Sequence, residues 1–271
     1  MDIFQAIILG IVQGLTEFAP VSSSAHLVLT PYFLGWQKPG LAFDTTLHLG
    51  TLAAVVIYFW RDVIALARAF SASLIERRIA GDSMRALAWL VILGTLPAVI
   101  AGLLLESFFE SLFQQPGWVG FFLLITGTLL FATERVPRSA RALETITWRD
   151  ALAIGIAQAI AILPGISRSG STIAMGMTRG LERAASARFS FLLSMPIILG
   201  AGVLQLLKLR ATTLNDLALP LVVGFIAAGI SGYLVIRFLM RYLKNRTLDA
   251  FAIYCWILGA LTLIVFFAGW R

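Results

Sequence analysis

Six stretches of the chain, 46–66, 87–105, 117–134, 186–206, 218–238 and 250–269, are each apolar over about the 20 residues a helix needs to cross a hydrocarbon core. No other feature constrains the fold as tightly. Composition agrees: 59% of the 271 residues are hydrophobic and 13% charged, about half the charge of an ordinary soluble domain. So few charges could not cover a soluble protein of this length. A disulfide scaffold, a disordered chain and a cytosolic enzyme are therefore excluded, and an all-α polytopic membrane protein is expected. Pro97 and Pro196 lie inside two of the spans, where neighbouring helices can satisfy the freed backbone groups. The lone Cys255 allows no disulfide or Cys-based zinc site, and two histidines are too few for an HExxH motif. The first basic residue is Lys38, so the start lacks the positive region of a secretory leader.

Two further apolar stretches, Ile3–Leu15 and Ala151–Leu163, are only 13 residues long. Each runs into a polar segment containing proline and then resumes as a short apolar helix. Helices of this length are too short to span, so both read as re-entrant hairpins, over 1–35 and 150–178. The hairpins also resemble each other. At an offset of 145, Gly10, Ile11, Gln13, Ser22 and Ser24 align with Gly155, Ile156, Gln158, Ser167 and Ser169, and three spans follow each. A single membrane domain of two repeats is expected, 1–135 and 148–271. An odd number of spans per half turns the second upside down, giving an inverted-topology repeat.

The net charge of +7 would suggest nucleic acid on a soluble domain. Here the basic residues sort by side, and no nucleic-acid partner is expected. Lys38, Lys208, Arg210 and Arg271 fall on one side and Arg168 within the second hairpin; the other 16 of the 21 fall on the opposite side. Under the positive-inside rule both termini then lie outside, the first hairpin enters from outside and the second from the cytoplasm. An eight-span alternative would put Glu17 and Arg168 inside complete spans and split the basic cluster.

Glu17 and Arg168 are the ionisable residues this topology leaves at membrane depth, where the default reading is functional. Gln13 and Glu17, four apart, project from one helix face. Pro20 ends that helix, and Ser22, Ser23 and Ser24 supply hydroxyls to cap the next, with His26 in its first turns. Pro164-Gly165 repeats the break. Ser167 can cap the following helix, and Arg168, Ser169, Ser171 and Thr172 surround its start. Two helix N-termini facing each other near the midplane make an anion site, and arginine is the residue for bidentate phosphate recognition. With Ser23 or His26 as nucleophile and Glu17 as base, the set suits phosphoryl transfer. His48 reads as structural, in an i, i+4 pair with Asp44; Glu106 and Glu110 as solvent residues at the outer face; and Asp2 and Asp150 as N-caps.

The stretches Gln13-Gly-Leu-Thr-Glu17-Phe-Ala-Pro-Val-Ser-Ser-Ser-Ala-His26 and Pro164-Gly-Ile-Ser-Arg-Ser-Gly-Ser-Thr172 resemble the two signatures of the bacterial undecaprenyl-diphosphatase, or bacitracin-resistance, family. The resemblance runs the full length, including Ala-Ser-Ala-Arg-Phe-Ser-Phe-Leu-Leu at 185–193. It implies a plasma-membrane phosphatase whose site opens to the outer face. Such an enzyme cleaves undecaprenyl diphosphate to the monophosphate and inorganic phosphate for peptidoglycan synthesis. It implies Glu17, Ser23 and His26 as catalytic and Ser167, Arg168, Ser169 and Thr172 as phosphate-binding, with Gln13, Ser22, Ser24 and Ser171 in support. A divalent cation, Mg or Ca, would sit on Glu17, but Gln13 stands where many members carry a second Glu. No organic cofactor is expected, and a homodimer is left open. Inverted repeats with broken helices also mark secondary transporters, so a transporter or lipid flippase with a midplane anion site is the alternative.

Overall fold

The computed structural model describes residues 2–113, 115–136, 140–208 and 211–269, without the side chains of Glu106, Glu110, 206–208 and 211–217. The expected positions of Glu106 and Glu110 in solvent thus fall outside the described side chains. Arg138, Lys208, Arg210 and Arg271 of the basic count do so too. Among the described residues there are twelve α-helices and no strand. They are α1 Ile3–Phe18, α2 Ser23–Leu34, α3 Leu41–Tyr58, α4 Trp60–Ile75, α5 Ser83–Leu104, α6 Glu106–Phe113, α7 Pro116–Arg135, α8 Trp148–Ile160, α9 Arg168–Thr178, α10 Arg183–Lys208, α11 Ala211–Asn245 and α12 Asp249–Phe267. Six are long and apolar enough to cross a membrane: α3, α5, α7, α10, α11 and α12. The chain is a multi-pass membrane protein.

One expected span is misplaced. The stretch 46–66 does not run as a single helix: α3 ends at Tyr58, Phe59 leaves helical geometry (φ −101°, ψ 26°), and α4 begins at Trp60. The expected loop 67–86 is helical as far as Ile75. Continuous hydropathy cannot register a break that tertiary contacts impose. Asp62 in the first turn of α4 accepts from Arg188 Nη2 of α10 at 2.5 Å, and Trp89 Nε1 of α5 donates to the buried Ser73 hydroxyl at 2.9 Å. These bonds tie the segment to α10 and α5.

The first hairpin breaks where its proline predicts, and the second breaks earlier. Helix α1 ends at Phe18, with Ala19 extended ahead of Pro20. Helix α8 stops at Ile160, three residues sooner than expected, and the chain turns through 161–167. Gly165 there has φ +108°, and a Cβ on it would lie 2.5 Å from the Val119 carbonyl oxygen, so both conformation and space demand glycine.

The packing pairs the halves. Helix α1 lies along α11, and α8 lies along α5. A methyl at Gly10 would come 2.6 Å from the Gly224 carbonyl oxygen, and one at the matching Gly155 would overlap the Gly94 carbonyl. Helices α7 and α12 cross where Gly120 and Gly259 each approach the other's carbonyl. Helix α1 thus closes on α11, and α8 on α5, at glycine contacts. Close backbone approach of this kind is the usual basis of helix association in membranes.

The second hairpin starts and ends at one place. Arg141 and Leu181 form a bridge: Arg141 N donates to the Gly180 carbonyl at 2.8 Å, and Glu182 N to the Arg141 carbonyl at 2.9 Å. Asp150 holds the junction, correcting the expectation that it is an N-cap. The cap of α8 is Thr147, and Asp150 is the third residue of a capping box. Fully buried, it accepts from Arg179 Nε at 2.8 Å and Arg141 Nη2 at 3.0 Å. Burial pushes the Asp150 carboxyl upward, but the hydrogen bonds from Arg179, Thr147 and Arg141 outweigh it and hold the group below its ordinary value. Its contribution to stability is therefore complete above the ordinary carboxylate range and lost as pH falls through the depressed value. Asp150→Asn, which leaves two arginines facing a neutral amide, should cost about 3–5 kcal/mol. A thermal melt of the detergent-solubilised protein within a degree or two of wild type would refute that role.

Candidate active site

The two hairpins meet at Glu17. Its neighbour Phe18 anchors the end of α1 in the main core, edge-on to Phe191 of α10 with ring centroids 5.3 Å apart. The Glu17 carboxylate, only 4% exposed, is held inward. It accepts from every side: Gln13 Nε2 at 2.9 Å and Ser23 Oγ at 2.5 Å reach Oε2, while Arg168 Nη2 reaches Oε1 at 2.7 Å. Two oxygens receiving this set of donors describe an ionised carboxylate.

Ser22 caps α2, accepting from Ala25 N at 3.3 Å, and does so at φ +70°. A non-glycine residue in that region costs on the order of 1–3 kcal/mol and is commonly found at functional sites. The turn directs Ser23 back toward Glu17, six residues earlier. At the matching place Ser167 caps α9, accepting from Gly170 N at 3.0 Å. The aligned hydroxyls repeat one contact, Ser22–Ser24 at 3.1 Å and Ser167–Ser169 at 3.3 Å. Ser169 Oγ then donates to the Ala19 carbonyl at 3.1 Å. The break of one hairpin thus rests on the start of the other's second helix.

Not every expected residue joins this cluster. His26 is buried but turned elsewhere: Nδ1–H donates to the Ser22 carbonyl at 2.7 Å, leaving Nε2 to accept from the Tyr254 hydroxyl of α12 at 2.7 Å. Thr172 donates to the Arg168 carbonyl at 2.8 Å, and its hydroxyl lies 2.5 Å from that of Ser190 on α10. Ser171 is buried.

His48 was read as structural, yet its Nε2 lies 3.6 Å from Glu17 Oε2. The expected pair with Asp44 is made through the Asp44 backbone carbonyl, which His48 Nδ1 meets at 2.8 Å. Nothing in spacing could bring His48 to Glu17, since they sit on different helices. Thr126 of α7 was missed for the same reason: its hydroxyl donates to the Gly165 carbonyl at 2.9 Å and accepts from Ser167 N at 3.1 Å, stapling the second break. Ser190 had a signal, because it sits in the Phe-Ser-Phe stretch already noted.

As for a cation, no group of three or more His, Cys, Asp or Glu side chains is close enough to hold one among the described residues. The fitting donors are hard oxygens: the Glu17 carboxylate and the Gln13 Oε1, which is buried and has no hydrogen-bond partner among the described residues. Two such ligands suit a cation that takes the rest of its shell from phosphate and water.

The sequence model of the bacitracin resistance protein BacA matches residues 6–261. The chain belongs to the BacA family. It is 45% identical to the undecaprenyl-diphosphatase of Methanosphaera stadtmanae, over 98% of both chains. Identity to the undecaprenyl-diphosphatase of Desulforudis audaxviator is 46%, again over 98% of both. With undecaprenyl-diphosphatase 2 of Stutzerimonas stutzeri it is 47% over 98% of this chain and 99% of the relative. Similarity at this coverage extends over both broken helices and all six long helices of the chain.

Proposed function

We propose that this membrane protein hydrolyses undecaprenyl diphosphate to undecaprenyl phosphate and inorganic phosphate, the activity that its relatives' names carry. One observation supports the chemistry above all: Ser23 and Arg168 each bond one oxygen of the same buried carboxylate. A nucleophile, its base and a guanidinium are thereby held within one constellation.

In this reading Ser23 Oγ attacks the terminal phosphorus, and Glu17 takes its proton. The Oγ–P bond forms as the bond to the bridging oxygen breaks, releasing the lipid monophosphate. Water then attacks the phosphoserine, returning Ser23 and liberating phosphate. Arg168, with the start of α9 and the hydroxyls of Ser167 and Ser169, stabilises the equatorial oxygens, which is most of what phosphoryl transfer asks of a protein, while Thr172 braces α9 against Ser190. The structure favours Ser23 over His26 as nucleophile, since His26 is bonded to Ser22 and Tyr254. His26 instead holds the start of α2. A Mg²⁺ or Ca²⁺ ion, if bound, would be held by Glu17 and Gln13 Oε1 and would supply charge neutralisation at the diphosphate. The transporter alternative is not favoured, because translocation requires no nucleophile paired with a base.

Purified protein in detergent, where no gradient exists, should release phosphate from a polyprenyl diphosphate and pass through a phosphoenzyme labelled on serine. Phosphate release without a labelled protein would leave direct attack by water, and no release at all would overturn the function.

The same reading gives the orientation: a bacterial plasma membrane, both termini and the site's opening outside, the arginine-rich loops inside, and hairpins that enter and leave by one face. The bridge between residues 141 and 181 supports it. In a Cys255→Ala background, cysteines at Ser83, Ala142 and Ala184 should resist an impermeant thiol reagent in intact cells, and one at Ser111 should react. Labelling at Ala184 with protection at Ala142 would restore the eight-span arrangement.

A further inference from the structure

We propose that the basic end of α11 carries a binding site for an anionic phospholipid of the surrounding bilayer. An open groove of about 560 Å³ runs along this helix, lined by Leu234, Arg237, Phe238, Arg241, Tyr242 and Arg246 among others. Leu234, Phe238 and Arg241 recur at helical spacing on one face, and from Leu234 to Arg246 the groove covers about 18 Å at 1.5 Å per residue. Its two halves differ in chemistry. Toward the middle of the span, Leu234 and Phe238 are 57% and 58% exposed. Toward the helix end stand Arg241 and Arg246, and Arg237 sits between Leu234 and Phe238. Tyr242 forms the wall, its ring 5.6 Å from that of Phe238 and 5.5 Å from that of Phe251.

The arginines are what make the groove a site. On the same basic side, Arg85, Arg135, Arg141, Arg179, Arg183 and Arg188 are each paired with a carboxylate; Arg61, Arg68, Arg77, Arg78 and Arg149 are in no ion pair among the described residues but do not line this groove. Arg237, Arg241 and Arg246 make no ion pair among the described residues, and no carboxylate lines the groove. Three uncompensated guanidiniums above an apolar floor complement a phosphate above an acyl chain. A free phosphate would leave the apolar half unused, and a zwitterionic headgroup would bring its own cation against the arginines. Basic pockets at the cytoplasmic ends of membrane helices recognise anionic headgroups on this principle. No part of the catalytic reading enters the argument.

The test is native mass spectrometry of the intact protein, delipidated and re-exposed to phosphatidylglycerol or phosphatidylcholine. Wild type should retain phosphatidylglycerol in preference, and millimolar inorganic phosphate should not displace it. Each arginine facing an anionic lipid is worth a factor of about five, so the triple variant R237Q/R241Q/R246Q should lose at least about tenfold in retention. The charge-matched variant R68Q/R77Q/R149Q, altered elsewhere on the same side, should bind like wild type. Phe238→Gln, which keeps every charge, should also lower retention. Equal loss in the charge-matched control, equal retention of phosphatidylcholine, or displacement by phosphate would overturn the proposal. Should the triple variant not fold, unchanged retention in Phe238→Gln would overturn it alone.

Discussion

Arg168→Lys should lower phosphate release from the lipid diphosphate by about 10²-fold, although the positive charge is kept. Loss of a single preorganised donor to transition-state charge typically costs about 10²–10³-fold. The substitution removes more than a donor. Arg168 already spends Nη2 on Glu17 at 2.7 Å, and its planar fork leaves further N–H groups for the phosphate at a fixed angle. An ammonium on a flexible stem is a point charge, and bonding Glu17 would draw it away from the substrate. Turnover within tenfold of wild type, at normal expression and melting temperature, would show that Arg168 serves only to neutralise Glu17.

Glu17→Gln should be at least as damaging, by about 10²–10⁴-fold, the usual contribution of a positioned base. The amide keeps the shape and can accept from Ser23, but it cannot take the proton. The double variant separates the roles. Because Glu17 and Arg168 are in contact, their effects should not add: Glu17→Gln with Arg168→Lys should be little worse than Glu17→Gln alone. Fully additive losses would mean that the two act independently and that the contact is incidental. The buried pair also predicts that Glu17→Gln loses stability, since it leaves the Arg168 charge without its partner. Melting curves must therefore accompany the kinetics.

The break positions were legible because proline and glycine act locally. Pro20 ends α1 whatever surrounds it, and Gly165 supplies the left-handed turn of the second hairpin. Ser167 could be named as a cap, and the cap of α2 narrowed to Ser22, Ser23 or Ser24, because a cap is satisfied within three residues of itself. Asp2 is the cap expected, accepting from Gln5 N at 2.7 Å. Asp150 was misread by the same logic. The capping box is local, Thr147-Trp-Arg-Asp150, but the two arginines that bond the carboxylate come from outside it.

Length, hydropathy, proline position and charge asymmetry together determined an all-α membrane protein of six spans and two broken helices, with Glu17 and Arg168 singled out. These properties reside in single segments, and a segment's apolar length or capping chemistry does not depend on its partners. Tertiary structure alone decided what those residues touch. Glycines too far apart in sequence to be related by any period let α1 close on α11 and α8 on α5. That packing put Arg168 on Glu17 across 151 positions, turned His26 to Tyr254, brought His48 against the carboxylate, and left three arginines of α11 without partners. Helices in lipid gain little from hydrophobic burial against one another, so close backbone approach and buried polar contacts choose the partners, and neither is written in a hydropathy pattern.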